Sequence, residues 1–350
     1  MGENYTPDAS ITEGVPENLA STKLTYAMNV AHERYIVRFK PKHPVAILFV
    51  VQEGETNTVD QRILEFNLWT NHKVPVIRMS LTKAKSLMQM DSETGALYIL
   101  PDVSADGENG SIPTKYEVSV AYFRAGYAPT DYPDGYDGIE WDSRERIERS
   151  RATKCPSLGY HLAGTKKVQQ ELARSGTLER FFTEQEISDG IVASMRAAFA
   201  GLYSLGNDTL QEDLDAVKDA ITGNDSNYVL KPQREGGGYN YYGEQLAEKL
   251  KANVDDSGDT LKLGDDLAEF ILMQRLFPPK QLSVLLRAGM VEGTNESISE
   301  LGCFGTIVQS HDGDTLHNEY SGFLLRTKFS NVNEGGVASG FATLSSPYLC

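Results

Sequence analysis

Apolar and polar positions alternate along the first part of the chain in a way that sets its elements. Residues 1–20 are polar, with Gly14 and Pro16, and predict a loose lead, with order beginning near Leu24. The run Val45-Ala46-Ile47-Leu48-Phe49-Val50-Val51 is apolar without a break between Pro44 and Gln52, the pattern of a strand buried on both faces of a parallel sheet. Residues 60–71 predict a helix with Ile63, Leu64 and Phe66 on its apolar face, and residues 74–79 a second short strand, so the order is that of βαβ units. Tyr98-Ile99-Leu100 and residues 118–123 add strands on either side of an acidic, glycine-containing stretch, 102–111, expected as a surface turn.

Helical patterns follow over residues 166–178 and 187–205, then an acidic amphipathic helix over 210–221. Beyond them Tyr228-Val229-Leu230 is a short strand that runs straight into a charged, glycine-rich turn. The later apolar runs 270–273, 303–308 and 322–325 predict a mixed or antiparallel sheet. The expected organisation is a loosely ordered lead (1–35), an open parallel-sheet α/β domain (36–204) and a second domain (205–350).

At 350 residues and 40% hydrophobic, the chain can bury a sizeable core and is long enough for two domains, or for one large domain with an insertion. Its net charge of −16 repels a phosphate backbone and an anionic bilayer, so neither nucleic acid nor membrane is an expected partner. No stretch approaches about 18 uninterrupted apolar residues, and residues 1–10 lack the basic-then-apolar order of a leader. Cys155, Cys303 and Cys350 are far apart and odd in number, which suits a reduced cytoplasmic protein better than a disulfide framework; a secreted chain whose leader had been removed would look the same.

Candidate chemistry gathers where strands meet glycine. In Lys231-Pro232-Gln233-Arg234-Glu235-Gly236-Gly237-Gly238, three glycines let backbone N–H groups approach a phosphate, Lys231 and Arg234 add positive charge, and Glu235 offers a cation ligand. A glycine triplet also suits a solvated turn, and no Gly-Lys-Ser/Thr follows it. A second loop, Asn333-Glu334-Gly335-Gly336-Val337-Ala338-Ser339-Gly340, comes after Arg326-Thr327-Lys328 and suggests closure over an anion. Arg124-Ala125-Gly126-Tyr127 follows an apolar strand, where open α/β sheets hold ligands, and Glu55 and Gln61 project from the same edge. Arginine there can grip a carboxylate bidentately, although each such charge taken singly also suits a solvated surface. No histidine stands at metal-ligand spacing, and no nucleophile elbow is present.

Several segments then resemble one family. Arg151-Ala152-Thr153-Lys154-Cys155-Pro156, Leu162-Ala163-Gly164-Thr165-Lys166-Lys167-Val168-Gln169-Gln170-Glu171-Leu172, residues 230–238, Ile298-Ser299-Glu300-Leu301-Gly302 and Leu325-Arg326-Thr327-Lys328 are similar, in order and spacing, to eukaryotic-type glutathione synthetases, from about Val45 to the end of the chain. The resemblance implies an ATP-grasp fold and ligation of γ-glutamylcysteine to glycine through an acyl phosphate, with ATP as co-substrate, Mg²⁺ as cofactor and a homodimer as the assembly. Carried over by position, Lys166, Lys231, Gln233, Glu235, Gly236, Gly237, Gly238, Asn240 and Tyr242 would hold the nucleotide, with Glu235 a Mg²⁺ ligand. Met273, Leu276, Glu300, Lys328, Val337 and Ala338 would complete the nucleotide site. Glu55, Gln61, Arg124, Tyr127 and Arg326 would hold the dipeptide, and Arg124, Lys231 and Arg326 would serve the chemistry itself.

Three departures bear on that reading. The family's preceding segment, with a Glu-x-Asn pair that completes its Mg²⁺ site, has no match here; Glu65-Phe66-Asn67 has the spacing but falls in the helix after Gln61. Tyr239 stands where asparagine is usual, and Gln274-Arg275 replaces a Glu-Lys pair. The alternatives to an active synthetase are a ligase with altered amine specificity and a family-derived binding or effector protein.

Overall fold

The structure is a computed structural model that describes residues 13–101, 114–182, 189–233, 239–255, 261–337 and 340–349. The chain forms two compact units, one built from 1–157 and 279–350, the other from 158–278. The boundary expected near Leu205 falls instead at Ser157/Leu158, and the chain returns to the first unit after Pro278. An excursion of this kind leaves no mark on a hydrophobicity pattern, because it is defined by which strands pair.

Helix α1 (Ala20–Phe39) occupies the later part, residues 20–35, of the stretch expected to be loose. Leu24, Met28, Ala31 and Tyr35 recur at helical spacing, and this stripe packs on the first sheet, with Tyr35 only 3% exposed. Gly14 and Pro16 govern only the residues before it. The elements that follow are β1 (Val45–Val50), α2 (Val59–His72), β2 (Val76–Met79), α3 (Leu81–Leu87), β3 (Met88–Met90), β4 (Leu97–Ile99), β5 (Tyr116–Phe123), α4 (Ile139–Arg149) and β6 (Thr153–Cys155). They give a six-stranded sheet in the order β2-β1-β5-β4-β3, with β6 also on β5. β1, β2, β5 and β6 run parallel, whereas β3 and β4 are antiparallel, so the sheet is mixed.

β1 is buried on both faces. Ile47 and Phe49 join Met28, Leu64 and Leu68 beneath α1 and α2, while Leu48 and Val50 join Leu81, Ala84 and Ile147 beneath α3 and α4. The face that α2 buries is only partly the expected one: Leu64 points inward with Gln61 and Leu68, whereas Ile63 and Phe66 are exposed. The expected surface turn at 102–111 lies outside the described residues.

The second unit carries α5 (Leu158–Ala163), α6 (Lys166–Ala173), α7 (Asp189–Arg196), β7 (Leu202–Ser204), α8 (Gln211–Asp219), β8 (Tyr228–Pro232), β9 (Tyr241–Tyr242), α9 (Gly243–Lys251), β10 (Val254–Asp255), β11 (Lys262–Leu263) and β12 (Phe270–Gln274). Its four-stranded antiparallel sheet has the order β7-β12-β8-β9. One face carries Tyr203, Leu230, Tyr241 and Leu272 against Leu246 and Leu250 of α9 and Ala216 and Val217 of α8. Residues 187–205, read as one helix, contain both α7 and β7, since a three-residue edge strand is too short to show its own period.

Back in the first unit, β13 (Gln281–Arg287), β14 (Met290–Gln309), β15 (Thr315–Phe329) and β16 (Thr343–Ser345) pair in sequence as an antiparallel sheet. The short apolar runs expected at 303–308 and 322–325 are segments of one long hairpin, β14–β15. α1 ties to it through Lys23 Nζ, which donates to the Tyr320 carbonyl at 3.0 Å, and the residues just before α1 through Asn18 Nδ2, which donates to the Phe323 carbonyl at 2.8 Å. No described helix is long and apolar enough to cross a membrane.

Candidate functional site

In the second unit the register of β8 decides which residues face the candidate nucleotide site. Lys231 pairs with Ile271, and Val229 pairs with both Met273 and Tyr242, so Val229, Lys231, Tyr242, Ile271 and Met273 share the sheet face opposite the Leu230–Leu272 core. α6 packs on that same face, where Lys167 Nζ donates to Ser204 Oγ at 2.9 Å and to Gln170 Oε1 at 2.8 Å. Lys166, the first residue of α6, and Lys231 are thereby set on one side of one sheet.

Gln233 closes the strand. Its backbone N–H donates to the Glu269 carbonyl at 2.8 Å, and its side-chain Oε1 accepts from the Lys167 N–H at 3.1 Å, so it holds the end of β8 against the first turn of α6. Sequence reading assigned Gln233 to the ligand and did not see this joint. Asn240 Nδ2 donates to the Tyr242 hydroxyl at 3.3 Å, and the Arg275 guanidinium lies 5.4 Å from the Tyr242 ring centre. Met273 is half-buried and Leu276 exposed. Glu235, Gly236, Gly237 and Gly238, with Arg234, lie outside the described residues.

A network absent from the sequence reading anchors α6. Asp208 accepts from Lys167 Nζ at 2.5 Å, Ser204 Oγ at 2.7 Å and Arg174 Nη2 at 3.1 Å. Partial burial favours its neutral form, but the lysine and serine donors outweigh that and lower its pKa to about 2. Its only sequence signal was the Gly206-Asn207-Asp208 turn.

In the first unit, four of the five dipeptide candidates stand at the carboxyl edge of the parallel strands. Gln61, on the first turn of α2 and 1% exposed, donates Nε2 to Glu55 Oε2 at 2.9 Å; Glu55 Oε1 accepts from the Asn57 N–H at 2.8 Å. Arg124 extends β5, its N–H donating to the Val50 carbonyl at 2.7 Å, and its Nη2 donates to Asp60 Oδ2 at 2.5 Å. Burial lowers the Arg124 pKa, but nearby Tyr122 and Asp60 more than reverse this, so the net shift is upward. Arg124 Nε is buried with no partner among the described residues, while the side chain as a whole is 29% exposed.

The loop bearing Tyr127 is fixed by one carboxylate. Asp131 Oδ2 accepts from the N–H groups of Gly126, Tyr127 and Ala128 at 2.9, 3.2 and 3.1 Å. Gly126 has φ +89°, and a Cβ there would lie 3.2 Å from the Tyr132 hydroxyl, so both backbone and space call for glycine.

Arg326 stands on the other sheet of this unit. It is the cross-strand partner of Glu300 and forms an ion pair with it, so a residue expected at the dipeptide pairs with one expected at the nucleotide. Two residues on along β15, Lys328 Nζ donates to the carbonyls of Asn333 and Glu334 at 2.7 and 3.1 Å and ties down the second glycine loop. Val337 ends the described part of that loop, its carbonyl accepting from the Gly340 N–H at 3.0 Å, and Ala338 lies outside the described residues. No cluster of three or more His, Cys, Asp or Glu among the described residues is placed to hold a metal ion, and Glu235 is not among them.

An α/β scaffold that sets two lysines over one face of an antiparallel sheet and Arg124 at a parallel-sheet edge is of the ATP-grasp class. The family model for the ATP-binding domain of eukaryotic glutathione synthase matches residues 2–349, and the chain belongs to that family. It is 38% identical over 334 residues to the glutathione synthetase of Dictyostelium discoideum, covering 95% of this chain and 63% of that protein. Against the chloroplastic glutathione synthetase of Solanum lycopersicum it is 41% identical over 349 residues, covering 99% and 56%. Against the human glutathione synthetase it is 40% identical over 302 residues, covering 86% and 56%. The chain thus spans a little over half the length of these relatives. Among solved structures, a glutathione synthetase-like effector of Globodera pallida in its apo form is similar in fold, with a TM-score of 0.65 at 17% identity, covering 97% of this chain and 63% of that one.

Proposed function

We propose that this chain carries the nucleotide- and dipeptide-binding machinery of a glutathione synthetase. The observation that carries the reading is the placement of Lys166 and Lys231 on one face of the second unit's sheet, in a chain about 40% identical to such synthetases. ATP binds there, and the γ-glutamylcysteine carboxylate attacks its γ-phosphorus, forming a carboxyl–phosphate bond as the bond to ADP breaks. The glycine amine then attacks the acyl carbon, loses a proton, and phosphate departs.

The groups between which the phosphoryl passes, a polyphosphate and a carboxylate, are both anionic, so cations and position matter more than a nucleophile. Lys166 and Lys231 neutralise phosphate oxygens. Arg124, held by Asp60, offers its partly exposed guanidinium to a substrate carboxylate. Arg326 exchanges Glu300 for a substrate carboxylate, and Lys328 positions the second glycine loop. Mg²⁺ would be held through Glu235 and would supply further charge on the phosphates. A homodimer and a cytoplasmic location belong to the same reading.

The deciding experiment is ATP-dependent phosphate release with γ-glutamylcysteine and saturating Mg²⁺, adding glycine, alanine or no amine, with products identified by mass. Glutathione formed with glycine, and lost in Lys231→Ala, is the expected result. A product with another amine would redirect the specificity. No turnover by folded protein, beside an active full-length relative, would sink the synthetase reading for this chain.

A further inference from the structure

Arg78 belongs to none of the motifs that point to the site. It lies near the end of β2 opposite Phe49, on the sheet face that α2 covers, and is 7% exposed. Its Nη2 donates to Gln61 Oε1 at 2.6 Å, and its Nε is buried without a partner among the described residues.

This contact fixes something the Gln61 side chain cannot fix for itself. A carboxamide presents an acceptor on one side and a donor on the other, and the two exchange when it flips. A guanidinium only donates, so Arg78 holds Oε1 towards itself and leaves Nε2 towards Glu55, where it donates at 2.9 Å. The flipped amide would face donor with donor at Arg78 and acceptor with acceptor at Glu55. With Asn57 N–H on its other oxygen, Glu55 is held by a donor on each oxygen and retains lone pairs for one more. A half-buried carboxylate so held suits a cation, and the glutamyl end of a γ-glutamyl dipeptide carries one, its α-ammonium.

We infer that Arg78 is a positioning residue: it orients the Gln61 amide so that Glu55 selects substrates carrying an α-ammonium group. The inference rests on the dipeptide-site reading above and adds a positioning residue, Arg78, to it.

Calorimetric titration of the chain tests it with two ligands, γ-glutamylcysteine and glutarylcysteine, which differ only in the ammonium. Wild-type protein should bind the first more tightly. Arg78→Met should weaken γ-glutamylcysteine about tenfold or more and glutarylcysteine little, so the ratio between them collapses. Gln61→Met should do the same, and the double variant should lose no more than either alone, because both break one relay. Equal loss for both ligands, additive losses, or a wild-type ratio in Arg78→Met would each overturn the assignment. Near-UV circular dichroism checks folding. If Arg78→Met does not fold, Arg78→Lys decides, since a single rotatable ammonium holds the amide less firmly: a smaller fall in the ratio supports the relay and an unchanged ratio refutes it. Wild-type protein that binds neither ligand would remove the dipeptide site itself, an outcome distinct from the loss of selectivity alone.

Discussion

Asp131 and Asp208 show how much a single side chain arranges around the candidate site. Three N–H groups of the Gly126–Ala128 loop converge on one oxygen of Asp131. Asp131→Ala should therefore destabilise the protein by about 1–2 kcal/mol and raise hydrogen exchange at Gly126 and Tyr127, as read by denaturant melts and exchange mass spectrometry. Asp208 titrates near pH 2, below its ordinary carboxylate value, so its contribution to stability is complete above about pH 4 and is lost as the pH falls through about 2. Removing its principal donor in Lys167→Met should raise that pKa towards the ordinary range, measurable by carboxyl ¹³C titration. Neither role was legible beforehand: both aspartates stand in polar turns, and only the folded chain brings their donors together.

Among the elements, β1 was the most legible, because a strand buried on both faces must be apolar at every position. α2 was legible as a helix, but its buried face only in part. Ile63 and Phe66 are the larger apolar side chains on that turn, yet Gln61, Leu64 and Leu68 are the ones buried. A polar residue inside and aromatics outside invert the usual pattern, and the inversion is where Gln61 meets Arg78 and Glu55. Leu68, fully buried, should cost about 2–5 kcal/mol on replacement by alanine, whereas Phe66→Ala should change stability by less than about 1 kcal/mol; urea denaturation separates the two. α1 was missed although its stripe from Leu24 to Tyr35 has helical spacing, since the polar residues before it dominated the reading.

On the scale of the whole molecule, each unit has its own core, and the covalent path leaves the first unit and returns to it. Leu230→Ala, in the core of the second unit, should lower exchange protection across β8 and β12 while leaving β1 and β5 as protected as before; a uniform loss would show that the units unfold as one. The sequence by itself determined the α/β class, the apolar strands and, through segments similar to a known family, the family itself and the candidate residues for nucleotide and dipeptide. It could do so because burial on both faces and glycine-rich turns leave their mark in residue type and spacing. Only the tertiary structure decided which face α2 buries, that Lys166 and Lys231 share one side of a sheet, that Arg326 pairs with Glu300, and that Arg78 stands behind Gln61. Each of those depends on strand register and on partners up to 65 residues apart, such as Lys166 and Lys231, and a linear pattern carries no record of pairing between distant residues.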